Sequence, residues 1–402
     1  MGGISRTLCA VWRENKKGKL GAFFVRIIVS GGGTGGHIYP ALTIVRAIQK
    51  RIPDAEFLYV GTKDGLEADI VPKEGIAFET VNIRGFKRSL TPENFLRGAQ
   101  AFGGVMKAMG VVRRFHPDVA IGTGGYVCGP ILLAASLMGV PTLIQEQNVM
   151  PGITNRLLSR FVSCIAMGTK EAAQYFPKGK RVFTGNPIRE EVLKARSGES
   201  RELFGLDPKA KTVLVSGGSR GARSINKAMI GVLAHYAGRD GVQFLHVTGK
   251  AGYEDTMAQL QEAGVDVSAS GNLFVEPYLY NMPQALACAD VAVFRAGAIG
   301  IAELTARGVP SVLIPYPFAA ANHQEMNARA IVAAGAARMI LDRELTAERL
   351  LSVLAELLSE DAKLRRMAKS AKRLGRPQAA DEIASRAIRL AKGQKAPVPV
   401  SE

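Results

Sequence analysis

The stretch 25-VRIIVSGGGTGGH-37 joins an apolar, β-branched run (Val25, Ile27, Ile28, Val29) to five glycines and one threonine, and a periodic segment follows from 38 to 48. That order reads as strand, tight loop and helix. Glycines belong where the backbone takes φ > 0 or approaches a ligand closely, and the first N–H groups of the helix then face the gap. Such a loop suits an anion, most often a phosphate or pyrophosphate. The spacing Gly31-x-Gly33-x-x-Gly36 also fits the dinucleotide fingerprint, which needs an acid at the end of the next strand. Here that strand ends in Gly61 and Thr62, and the first acid, Asp64, lies past it. A nicotinamide site is therefore disfavoured, while a purely structural glycine turn stays open.

Outward from this stretch, short apolar runs alternate with helical segments. Strands are expected at 25–30, 55–60, 76–81, 118–122, 141–145, 162–166 and 181–184, and a second series starts with 212–216 after a polar linker that ends near Lys211. Repeated βαβ alternation implies a mostly parallel sheet with helices on both faces. The two series echo each other in order: VSGG at 29–32 and 215–218, DVA at 118–120 and 290–292, GVP at 139–141 and 308–310. The expected fold class is α/β, with two doubly wound, Rossmann-like domains facing across a cleft. Ligands of open α/β sheets bind at the carboxyl ends of the strands.

Composition narrows the partners. With 402 residues, 47% of them hydrophobic, the chain can bury a large core. Four scattered cysteines without a C-x-x-C pair argue against a disulfide scaffold or zinc site, and for a reduced compartment. A net charge of +17 points to negative partners: nucleic acid, anionic lipid or phosphorylated substrates. No basic block interleaved with aromatics is present, and there is one Trp, so no nucleic-acid partner is expected. Arg26 cuts the first apolar run too early for a signal peptide, and Arg6 breaks the myristoylation pattern after Gly2. The uncharged run 119–145 is divided by Gly and Pro into strand, loop, short helix and strand, which reads as buried core.

Several loops carry chemistry. Ser219, within 217-GGSRGA-222, suits a phosphate oxygen at a helix N-terminus, with a plain helix cap from Arg220 as the alternative. No Gly-Lys-Ser/Thr ending follows, so it is not a P-loop. A helix starting near Ala298 places Glu303 about one and a half turns in, where a carboxylate could accept from a ribose diol or simply be solvated. The polar groups 145-QEQN-148 and 322-NHQ-324 suit sugar hydroxyls, or are only loop polarity.

GGGTGGH at 31–37, GTGGYVCGP at 122–130, EQN at 146–148, GNPIR at 185–189, GGSRGA at 217–222 and RAGAIGIAEL at 295–304 together resemble the MurG family over residues 25–392. Those enzymes are two-domain GT-B glycosyltransferases that move N-acetylglucosamine from UDP-GlcNAc to lipid I, undecaprenyl-pyrophosphoryl-MurNAc-pentapeptide, giving lipid II. The resemblance implies a donor site of Thr34, Gly35, Gly36 and Asn148 in the first domain. Arg189, Ser219 and Leu279 would meet the nucleotide, Ala298, Ile299, Gly300, Ile301 and Ala302 the pyrophosphate, Glu303 the ribose, and Gln324 the sugar hydroxyls. Arg220 stands where the family usually has Gln, so a side-chain role there is not carried over.

His37 is the expected catalytic base, because an imidazole works near neutrality and closes the loop facing the cleft, with a helix-start histidine that only hydrogen-bonds the loop as the alternative; Glu146 is second. No D-x-D pair stands where a metal-bound pyrophosphate needs one, so no obligatory metal or other cofactor is expected. Residues 84–114, with Arg84, Phe86, Lys87, Arg88, Leu90, Phe95, Leu96, Phe102, Met106, Met109, Arg113 and Arg114, read equally as a core helix or as a membrane-surface element. The family's peripheral association with the cytoplasmic face of the inner membrane tips this towards an anionic membrane surface. The expected division is a disordered extension (1–24), an acceptor- and membrane-binding domain (25–186), a UDP-sugar-binding domain (187–374), a helix crossing back (375–392) and a disordered tail (393–402). Rival readings are a related enzyme with another lipid acceptor such as diacylglycerol, and a non-catalytic UDP-sugar-binding protein.

Overall fold

The computed structural model describes residues 24–81 and 93–394, with the backbone alone for 93–102. Two parallel sheets form its frame. The first has strands β1 (Arg26–Ser30), β2 (Glu56–Gly61), β3 (Ala77–Thr80), β4 (Val119–Gly122), β5 (Thr142–Glu146), β6 (Cys164–Met167) and β7 (Arg181–Phe183), in the order 3-2-1-4-5-6-7. The second has β8 (Lys211–Ser216), β9 (Val242–Val247), β10 (Leu273–Glu276), β11 (Val291–Arg295), β12 (Ser311–Ile314) and β13 (Ala337–Met339), in the order 10-9-8-11-12-13. Both sheets therefore wind outward in both directions from a switch point, between β1 and β4 and between β8 and β11. This is the doubly wound pair of domains expected from the repeat.

Helices α1 (Gly35–Gln49), α2 (Leu66–Ile70), α3 (Glu93–Phe115), α4 (Cys128–Leu137) and α5 (Ile153–Leu158) belong to the first sheet. Strand β1 shows why both faces are covered. Ile27 and Val29 pack with Ile38, Ile44 and Ile48 of α1, while Ile28 turns to Leu132 of α4 and Val111 of α3. A strand buried on both faces reads as a continuous apolar run, as VRIIV does.

The polar stretch after Pro187 is not a bare linker: it holds α6 (Glu190–Lys194) and α7 (Ser197–Leu203). Five-to-seven-residue helices with few apolar positions leave almost no periodic signal. Around the second sheet lie α8 (Arg223–Tyr236), α9 (Ala298–Arg307), α10 (His323–Ala333), α11 (Ala347–Ser359) and α12 (Asp361–Leu374). The last helix, α13 (Ala379–Ala391), returns to the first sheet, burying Ile383, Ala384, Ala387 and Leu390 against the core beside α1. Residues 119–145 form β4, α4 and most of β5, buried on the strands as expected. No described helix is long and apolar enough to cross a membrane.

Candidate active site

The loop that leaves β1 is shaped by contacts that leave no room for side chains. A Cβ on Gly31 would meet Thr123 Oγ1 at 2.1 Å, and one on Gly32 would meet Glu67 Oε1 at 2.6 Å. Glu67, in α2, is 0% exposed. Its carboxylate accepts from Gly33 N at 3.1 Å, Thr62 N at 3.1 Å and Thr62 Oγ1 at 2.7 Å. The first part of the glycine loop is thus satisfied within the fold. Gly32 N donates to Gly124 O, and Gly33 N to a carboxylate already in the fold. What remains is the first turn of α1, where Thr34 makes no capping bond and no acid stands beside Gly35 and Gly36. Glu67 escaped the sequence reading because its partners, Gly33 and Thr62, come from two other loops.

His37 follows in that same turn. Its Nδ1 lies 3.0 Å from the Thr123 carbonyl. A carbonyl only accepts, so Nδ1 carries the hydrogen and the Nε2 lone pair is left for a substrate proton. Burial lowers the His37 pKa below its ordinary 6.5, with the Thr123 carbonyl, the Gln147 amide and the Glu67 charge pushing more weakly upward. Gln147 Nε2 donates to the same Thr123 carbonyl at 2.6 Å. Gly124 has φ +111°, and a Cβ there would meet His37 Nδ1 at 2.7 Å, so the ring rests on bare backbone.

Glu146 does not have the freedom a base needs. It is 1% exposed. Its carboxylate accepts four hydrogen bonds, from Asn148 N (2.9 Å), Asn148 Nδ2 (3.2 Å), Asn155 Nδ2 (2.9 Å) and Gly152 N (3.2 Å). Burial raises its pKa against these bonds. In this structure Glu146 is the strut of the loop 146–152. That loop meets the second domain through Asn327 of α10, which accepts from Val149 N at 2.9 Å and donates to Asn148 Oδ1 at 3.1 Å. Asn327 went unnoticed in the sequence, although it lies one turn beyond Gln324 on the same helix.

The second domain brings its own set. Helix α9 begins at Ala298, as expected, and Glu303 is buried one and a half turns in. Arg189 Nε and Nη2 both donate to Glu303 Oε1, at 3.1 and 3.0 Å, which holds two of the expected site residues together. Burial raises the Glu303 pKa, opposed by the Arg189 charge. Ile299 and Gly300 follow in the first turn, while Ala298, Ile301 and Ala302 share a face turned to the first domain. Ser219 and Arg220 are exposed on their loop, but α8 starts only at Arg223 with Ala222 as its cap, so Ser219 is not the helix cap. Leu279 packs its side chain into the domain core, leaving Tyr278 and Tyr280, a T-shaped pair 4.8 Å apart, beside it.

Gln324 Oε1 accepts from Tyr316 N at 2.9 Å, so its NH₂ group is the part left to a ligand. Just before it, Ala321 and Asn322 hold left-handed backbone (φ 51° and 53°), an uncommon arrangement at a cost of about 1–3 kcal/mol each. It presents His323, whose Nδ1 lies 2.7 Å from Ala320 O. Burial lowers the His323 pKa, and it feels the charges of Glu146 and His37, so the two domains place their histidines near one another. Among the described residues, no three His, Cys, Asp or Glu side chains converge as a metal would require.

Comparison with known proteins bears on this geometry. Residues 27–167 match the N-terminal domain model of glycosyltransferase family 28, and residues 212–383 its C-terminal domain model. A UDP-N-acetylglucosamine--N-acetylmuramyl-(pentapeptide) pyrophosphoryl-undecaprenol N-acetylglucosamine transferase of Desulforamulus reducens is 49% identical over 360 residues, covering 89% of this chain and 97% of its own. The enzyme of the same name from Moorella thermoacetica gives the same identity and coverage. The crystal structure of Acinetobacter baumannii MurG superposes with a TM-score of 0.73 at 26% identity, over 91% of this chain and 99% of its own.

Proposed function

The chain belongs to the MurG family of glycosyltransferases, and from that premise we propose that it transfers N-acetylglucosamine from UDP-GlcNAc to lipid I, making lipid II for peptidoglycan. The observation that carries the mechanism is the pinned His37, with Nδ1 held by the Thr123 carbonyl and Nε2 left to accept. The muramyl 4-hydroxyl attacks the anomeric carbon of the donor. As the new C–O bond forms, the bond to the UDP oxygen breaks, UDP leaves with the electron pair, and His37 Nε2 takes the hydroxyl proton. One displacement inverts the centre and gives a β-linkage.

Donor residues take these roles. Glu303, oriented by Arg189, accepts from the ribose diol; the backbone of 298–302 and Ser219 face the pyrophosphate; Gln324 and Asn148 hold the sugar. Leu279 supports the uracil end from the core, with Tyr278 and Tyr280 at the surface. Thr34, Gly35 and Gly36 offer the first turn of α1 to the donor from the first domain. Helix N-termini favour the developing negative charge of UDP. Positioned proton transfer is worth about 10² to 10⁴ in rate. His37→Ala should therefore lower kcat by at least tenfold with donor affinity kept, and a smaller loss would remove His37 as the base.

The first domain, residues 25–186, faces lipid, and 187–374 holds the donor. The residues 84–90 expected at the membrane lie outside the described part, and Met109 packs on the core. Exposed Met106, Arg113 and Arg114 support the reading. A stronger feature, unread in the sequence, is the surface of α4 and α5: Leu137, Ile153, Leu157 and Phe161 are 61%, 71%, 67% and 54% exposed, with Arg156 and Arg160 exposed among them. Apolar side chains rimmed by cations suit an anionic interface, each cation adding about 1 kcal/mol. The enzyme is thus a peripheral protein of the cytoplasmic face of the inner membrane.

A further inference from the structure

A cavity of about 330 Å³ lies between the domains. Its size falls at the lower end of the roughly 300–1,000 Å³ that small-molecule sites occupy. The ends of β6 and β7 supply Thr169 and Phe183, α9 and α10 supply Ile301 and Ile331, and Arg373 and Arg376 close it where the chain crosses back. On α9 the cavity uses Ala298, Ile301, Ala302 and Thr305, a face of i, i+3, i+4, i+7 spacing, whereas Glu303 does not line it. His37 sits over β1 and β4, and β6 and β7 lie two and three strands beyond β4. At roughly 4.8 Å per strand its far wall lies about 10–14 Å from that centre, while Gln147, which donates to the Thr123 carbonyl that holds His37, lines its near wall. The cavity adjoins the reaction centre and extends away from it along α9 to Thr305 and Arg376.

Its charge is one-sided. Lys170, Arg373 and Arg376 border it, against Glu171 as the one acid among its described lining residues. None of the three cations pairs with a carboxylate among the described residues. Lys170 Nζ and the Arg376 guanidinium lie over the Phe183 ring, 5.7 and 4.7 Å from its centre, and Arg373 donates to Ser370 Oγ. Thr169 Oγ1, in the lining residues, is buried without a hydrogen-bond partner.

We infer that this cavity binds an amphipathic anion: a carboxylate, sulfonate or phosphate on an apolar body of one or two rings. Phe183, Ile301 and Ile331 receive the body, and the guanidinium groups of Arg373 and Arg376 receive the charge, for which their fork of donors is suited. Such a ligand touches both domains at once. Its binding is therefore linked to their relative position, and through it to turnover.

The probe is 8-anilinonaphthalene-1-sulfonate, titrated by fluorescence into the full chain with and without saturating UDP. One saturable site is expected that persists at saturating UDP and is weakened at least tenfold in the R373A/R376A double variant. The uncharged N-phenyl-1-naphthylamine should bind at least tenfold more weakly. Ala330→Phe, which adds a ring at the cavity wall and keeps all three cations, should abolish the site while the melting transition is retained, and it carries the test if the double variant does not fold. Competition by UDP, binding that never saturates, or affinities within twofold of the parent in the folded variants would overturn the assignment.

Discussion

Glu67→Gln changes one atom and asks whether the carboxylate beneath the glycine loop sets the reaction centre. In the parent, Oε1 serves Thr62 N and Oγ1, and Oε2 serves Gly33 N. A glutamine has one acceptor oxygen. If it keeps the Thr62 pair, its NH₂ faces the Gly33 N–H, donor against donor. Losing a hydrogen bond to a charged acceptor at a buried site costs about 1.5–3 kcal/mol. For a domain of this size that lowers Tm by about 3–12 °C. The loop also carries His37, and a displacement near 1 Å at a reacting group costs about 10² in rate. We expect kcat to fall 10- to 100-fold while affinity for UDP, whose proposed contacts at Arg189, Ser219, Leu279 and Glu303 lie in the second domain, stays within twofold. Calorimetry and transfer kinetics on the same preparation give both numbers. A variant with kcat within twofold and Tm within about 1 °C of the parent would refute the reasoning.

Five further outcomes follow from named residues. Gly124→Ala puts a Cβ against the His37 ring at φ +111° and should lower kcat at least tenfold with donor binding intact, as measured by steady-state kinetics and isothermal titration. Arg189→Ala strips a buried Glu303 of its ion pair and should raise the donor KM at least tenfold, with the acceptor KM little changed. For pH, a base must be neutral, so kcat should fall on the acid side with a midpoint below 6.5, the direction in which burial moves His37. Buried His246 has its pKa lowered to about 4, so between pH 6.5 and 4 the unfolded chain takes a proton that the native state refuses. Stability is then whole above about 6.5 and declines as pH falls towards 4, by about 3 kcal/mol, an acid loss that His246→Asn should reduce in melts across that window. Ile153→Glu with Leu157→Glu should cut co-sedimentation with phosphatidylglycerol vesicles at least fivefold while leaving transfer to a soluble acceptor analogue unchanged.

The fold was legible because its signals are local. Ile27, Ile28 and Val29 make a two-faced buried strand, the glycines end it, and the same phrase returns at 215–218 in the second sheet. Ala298 as a helix start could likewise be read from spacing, which left Glu303 open between a ligand-facing and a solvated carboxylate. What stayed hidden depends on long-range pairing. Glu67 gains its meaning from Gly33 and Thr62, Asn327 from Asn148 and Val149, and Glu146 loses its apparent freedom to Asn155 and Gly152. No periodicity announces such contacts. The short α6 and α7 were missed because a five-residue helix held by tertiary packing carries almost no pattern of its own.

The central claim is the identity of donor and acceptor. It is tested most directly by following labelled N-acetylglucosamine from its UDP donor onto a lipid I analogue in detergent, with UDP-glucose and a diacylglycerol acceptor alongside. Transfer confined to UDP-GlcNAc and the lipid I analogue, and lost in His37→Ala, is the expected result. Donor binding without transfer, or transfer to diacylglycerol in preference, would contradict it.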